Sequence, residues 1–247
     1  MQKKKNALAT IGLAAILMIL PAVVFAGWLD KTSDLLKTFG GSDKGTALTT
    51  EEIGAGLKEA LKVGSQRVVE QLGAKDGFNS DPQIHIPLPG SLVKVKSMLS
   101  KVGMAHLFED LELKLNRAAE AATPKAKRLF VNAITQMTLE DVQKIYNGPE
   151  DAATQYFKEK MSEPLAGEMK PVVTDTLSQV GAVQAYDKMI SAYKKYPFVP
   201  DAKANLTEYV TEKGMDGIFY YLAKEEAAIR KDPVKRTTEL LKKVFTR

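Results

Sequence analysis

The sequence predicts an all-α fold: a multi-helix bundle with one non-helical, Pro-rich strap. Three observations carry this. Apolar residues recur at steps of three and four in almost every segment between turn signals, the spacing of a helix with one buried stripe. Several of those segments open on capping patterns, Thr49 with Glu52, Thr138 with Asp141, and Asn205 with Glu208. Only KDGFNSDPQIHIPLPG, Lys75 to Gly90, breaks the rule, because Pro82, Pro87 and Pro89 suit neither a helix interior nor a central strand.

Taken in order, Met1 to Ala26 reads as a signal peptide. Lys3, Lys4 and Lys5 form the basic start, Ala7 to Leu20 the apolar run, and Val24-Phe25-Ala26 the small-residue cleavage site. The mature chain is then residues 27–247, a single all-helical domain expected in the periplasm. Removing three lysines and no acid takes the formal charge from +5 to +2, so the basic character belongs partly to the leader. Residues 27–48 read as a short amphipathic helix, with Trp28, Leu35, Leu36 and Phe39, followed by a Gly/Ser linker. Thr237 to Lys242 echoes Thr32 to Lys37, so both chain ends are expected to dock by apolar faces or to touch a membrane surface.

The helix after Thr49 buries Ile53, Leu57, Leu61, Val68 and Leu72 and stops at Gly73. Its Gly54, Gly56 and Gly64 each cost about 1 kcal/mol of helix propensity relative to Ala, which a close helix crossing or a ligand would offset. The strap follows, with Ile84, Ile86 and Leu88 pointing inward and His85 outward. Ser91 to Val102 makes the next helix. Leu107, Phe108, Leu111 and Leu115 stripe another, which runs toward Thr123 and Pro124, an N-cap and N1 pair for the helix carrying Phe130 and Ile134. A short helix opens at Thr138 and closes at Asn147-Gly148. Another starts at Pro149 and carries Tyr156 and Phe157, and a third starts at Ser162 and is kinked or divided by Pro171. Val183 to Tyr193 and Asn205 to about Arg230 complete the helices before the terminal segment.

Two polar rows stand out. Glu109, Glu112, Asn116 and Glu120, with Arg117 beside them, lie along one helix; Arg128, Asn132 and Gln136 lie along the next. A short connection predicts antiparallel neighbours whose rows meet in a polar seam. Such a seam is either a ligand or catalytic site, or a structural network that sets helix register.

Other chemistry finds little footing. The chain has no cysteine, hence no disulfide and no thiolate chemistry. His85 and His106 stand apart, and His106-x-x-Glu109 reverses the di-iron order, so no metal or other cofactor is expected. No phosphate loop, dinucleotide fingerprint or Ser-nucleophile motif occurs. Charges alternate in sign without aromatic interleaving, which argues against nucleic acid.

ELKLNRAAEAA at Glu112 to Ala122, EDAATQYF at Glu150 to Phe157, IPLP at Ile86 to Pro89 and RTTELLKKVF at Arg236 to Phe245 together resemble an exported bacterial family, catalogued as domain of unknown function number 4197. The resemblance implies an exported, mostly helical protein and brings no catalytic residues. Three functions follow as expectations. The first is non-enzymatic binding of an apolar or amphipathic ligand, or of an envelope protein. The second is an envelope scaffold or membrane-surface protein. The third is an envelope hydrolase with Glu112 or Glu120 as acid or base and Arg117 or Arg128 holding an anionic group.

Overall fold

The computed structural model describes residues 49–197 and 204–231. They fall in a compact unit that starts at Leu48, and among the described residues every regular element is helical. The leader, the helix over 27–39, its linker and the terminal helix after Pro233 lie outside the described residues.

Eight α-helices follow one another among the described residues: α1 Thr50–Gly73, α2 Val93–Lys101, α3 Ala105–Ala122, α4 Ala126–Gln136, α5 Leu139–Asn147, α6 Ala152–Gln179, α7 Ala182–Tyr193 and α8 Leu206–Lys231. Local chemistry sets several starts. The Thr49 hydroxyl accepts from the Glu52 amide, and the Glu52 carboxylate accepts from the Thr49 amide. Thr138 and Asp141 make the same reciprocal pair at α5, and the Asn205 side chain accepts from the Glu208 amide at α8. Each satisfies N–H groups that a helix start leaves without partners.

The core lies where α6, α8, α3 and α1 meet. α6 packs along α8 and on α3, while α1 crosses α8, α4 and α5, and α7 lies on α3. Glycines admit two of these approaches. A Cβ at Gly64 would stand 3.3 Å from Glu225 Cγ, so the crossing expected from the glycines of α1 is made there against α8. A Cβ at Gly214 of α8 would stand 3.0 Å from Met169 Cε on α6.

Three expectations are corrected. α6 is one 28-residue helix that passes through Pro164 and Pro171, not two helices divided between Tyr156 and Pro171. Phe157, Met161, Leu165, Met169, Val173 and Leu177 form an unbroken buried stripe at steps of four, while both prolines sit on the exposed face. Burial along the whole stripe outweighs the missing N–H bonds, since each large apolar side chain contributes roughly 1.5–3 kcal/mol.

Thr123 is not an N-cap. Thr123–Lys125 forms a 3-10 turn with helical dihedrals at Thr123, and the Thr123 hydroxyl donates to the Ala119 carbonyl at 2.8 Å. The same turn carries α4 onto α1 and α6, so α3 and α4 are not the paired neighbours their short connection suggested.

The strap itself matches its expectation. Ile84, Ile86 and Leu88 are buried, as is Phe78, and His85 is turned away, with Nδ1 2.9 Å from the Asn79 carbonyl oxygen. Asp76 takes a left-handed φ of 68°, a conformation that Asp tolerates better than most residues. At Gly77 a Cβ would lie 2.5 Å from the Gln71 carbonyl oxygen, so only glycine lets the chain fold back over the end of α1.

Candidate functional site

The carboxylate-rich row on α3 does meet a polar partner, but that partner is the backbone of the strap. Glu112, Asn116 and Glu120, four residues apart, stand one above another on the helix. Glu120 Oε1 accepts from the amides of Phe78 and Asn79, each at 3.1 Å. Asn116 Oδ1 accepts from the Ile86 amide at 2.9 Å, and its Nδ2 donates to the Ile86 carbonyl at 3.0 Å and to the Glu112 carbonyl at 2.8 Å. Glu112 Oε1 accepts from the Leu88 amide and from Lys96 Nζ, at 3.1 and 3.0 Å.

Arg117 completes the clamp by donating to Glu120 Oε2 and to Asp76 Oδ1, both at 2.6 Å. The Arg117 and Asn79 hydrogen bonds hold the Asp76 carboxyl below its ordinary range, and the Glu120 hydrogen bond raises the Arg117 guanidinium. These bonds replace the water that the strap's buried N–H groups lose.

The anticipated seam residues therefore divide. Glu112, Asn116, Arg117 and Glu120 act together on the strap, while Glu109 lies exposed at the end of the row. The α4 residues do not reach them. Arg128 pairs with Glu168 of α6 at 2.7 Å on the surface. Asn132 and Gln136 line a cleft of about 420 Å³ between α4, α5 and α6, with an apolar wall from Leu129, Met161 and Pro164 and polar groups from Thr138, Asp141, Tyr156 and Lys160.

A second cleft of about 660 Å³ shares Asp141, Tyr156 and Lys160 and continues toward Lys144, Pro149 and Gln155. The Tyr156 hydroxyl donates to the Ala133 carbonyl at 3.2 Å, and burial raises its pKa. The backbone and hydroxyl of Thr138 keep the Asp141 carboxyl low, so it stays ionised in the cleft.

Acid or base chemistry at Glu112 or Glu120 is poorly served by this geometry. Their oxygens are taken up by backbone amides and cations, and neither residue lines either cleft. Among the described residues no three His, Asp or Glu stand together to hold a metal ion, and no helix is long and apolar enough to cross a membrane.

Two features escaped the sequence reading. Glu226 sits in the buried stripe of α8 between Leu222 and Ile229, an acid at a core position, and that was the available signal. Its Oε1 accepts from the Ala153 amide at 2.9 Å, and its Oε2 accepts from the amide and hydroxyl of Thr154 at 2.9 and 3.0 Å. It thus caps α6 from a distance, because Asp151 supplies no side-chain cap.

The other feature is Tyr221 on α8, which donates to the Asp81 carboxylate of the strap. That hydrogen bond, with burial second, pushes the phenol up to about 12 from an ordinary 10.0. The protonated phenol is favoured in the fold, so this contact stabilises below pH 10 and is lost as pH rises toward 12. In an absorbance titration at alkaline pH, a tyrosine ionising near 12 is expected, and Tyr221→Phe should remove that step. An unchanged titration curve would refute the contact.

Comparison with known proteins finds no curated protein and no solved structure that matches. One family model does, over residues 47–246, and so takes in the strap, the clamp and both clefts. The chain belongs to the family described as protein of unknown function (DUF4197).

Proposed function

We propose that this is an exported, periplasmic protein that works by binding rather than by catalysis, and that it takes an amphipathic small molecule in the cleft between α4, α5 and α6. One observation carries the reading: the cleft joins an apolar wall, Leu129, Met161 and Pro164, to amide, phenol, carboxylate and ammonium groups at Asn132, Gln136, Tyr156, Asp141 and Lys160. Its volume lies within the roughly 300–1,000 Å³ of small-molecule sites, and its mixed lining suits a ligand with one apolar and one polar side. The basic stretch and apolar run of Met1 to Ala26 support export.

The test is native mass spectrometry of the mature protein, purified from the periplasm without refolding. An excess mass the size of a small amphiphile is expected, and it should disappear in Asn132→Trp, an exposed position where the larger side chain blocks the cleft while far-UV circular dichroism stays unchanged. A bare protein mass for the wild type, or an excess mass indifferent to Asn132→Trp, would overturn the reading.

A further inference from the structure

We propose that the surface of α3 and α8 beneath the strap is a binding groove for an extended polypeptide segment of a partner, and that the chain's own strap holds it shut. The strap is bound as a peptide ligand would be. Asn116 contacts both the N–H and the carbonyl of Ile86, a two-point match to a peptide unit. Glu120 takes two successive amides and Glu112 a third. Such contacts read backbone rather than side chains, so they suit any extended segment whose amides face α3.

Selectivity comes from the spaces that the strap fills. Ile84, Ile86 and Leu88 are buried at alternate positions, the period of an extended chain. Phe78 and Ile84 press against α8 where Gly217 has no side chain: a Cβ there would stand 2.6 Å from the Phe78 ring and 3.4 Å from Ile84 Cβ. The rest of the hold on α8 is polar and peripheral, Tyr221 to Asp81 and Tyr220 to Gln83. The prolines keep the segment extended before it binds, which lowers the ordering cost for the strap and for a similar partner segment alike.

The groove is thus matched to an extended segment with apolar residues at every second position and a large aromatic side chain further toward its N-terminal end. A competitor gains access only when the strap lifts, so its apparent affinity is reduced by the fraction of time the groove is open. This inference is independent of the cleft between α4, α5 and α6, and it stands or falls on the strap alone.

The probe is a fluorescent synthetic peptide copying residues 76–90, titrated into the mature full-length protein while anisotropy is followed. Weakening the strap without touching the groove should strengthen peptide binding. Ile86→Val is expected to tighten it roughly 3- to 10-fold and Phe78→Ala roughly 100-fold or more, following the usual costs of those core truncations. Ile86→Val, which removes one methyl group, keeps the test decisive if Phe78→Ala does not fold. Adding Asn116→Ala to Ile86→Val should abolish the gain. Equal peptide affinity in wild type and Ile86→Val, or a gain that survives Asn116→Ala, would overturn the proposal.

Discussion

Glu226→Ala is expected to lower stability by about 3–5 kcal/mol, the cost of removing one side of a buried charge pair. The Glu226 side chain is 6% exposed and sits 3.0 Å from Arg230 Nη2, itself 14% exposed. The substitution would strip four hydrogen bonds at once: those from Ala153 and Thr154 amides, from the Thr154 hydroxyl, and from Arg230. The α6 amides then face a space that alanine cannot fill, and their desolvation is no longer offset.

In a domain of this size each kcal/mol shifts the midpoint by roughly 2–4 °C, so a drop on the order of 10 °C is expected in a thermal melt followed by circular dichroism. Glu226→Gln should fall between, because an amide oxygen still accepts while the charge is gone. A loss below about 1 kcal/mol in Glu226→Ala would mean that α6 does not depend on this distant cap.

The second large effect belongs to Glu120. Glu120→Ala should cost about 2–4 kcal/mol, between the value of a hydrogen bond to a charged group and that of a broken buried pair. It removes the acceptor for the Phe78 and Asn79 amides, while Arg117 keeps Asp76 and is 23% exposed, so its charge finds water more easily than Arg230 does.

Glu112→Ala should cost distinctly less, about 1 kcal/mol. It anchors a single amide and a lysine whose side chain is 42% exposed. Urea denaturation of the two variants checks the order. Equal losses would deny that burial sets the difference, and no loss at Glu120 with loss of ligand binding would return the α3 row to the status of a site.

Much of the fold was legible because its causes are local. Thr49, Thr138 and Asn205 cap helices with partners three residues away, so a short window contains both halves of each interaction. The strap announced itself by proline and by alternation, and Ile84, Ile86 and Leu88 are buried as that pattern implies. The α3 row was equally plain, since a repeat of four along a helix places Glu112, Asn116 and Glu120 on one side.

The partners of those groups were not legible, because each lies far along the chain. Glu120 holds amides about forty residues before it, and Glu226 holds amides more than seventy residues before it. Local rules also lost to burial at particular places. Pro164 and Pro171 suggested a break, yet the stripe from Phe157 to Leu177 holds α6 together. Thr123 suggested a cap, yet the turn it occupies sends α4 toward α1 and α6. Helix identity follows from contacts within a turn or two of the chain, and those are written in spacing and caps. Which face meets which, and whether a carboxylate pins backbone or awaits a ligand, depends on apolar burial summed over distant segments, which no local pattern encodes.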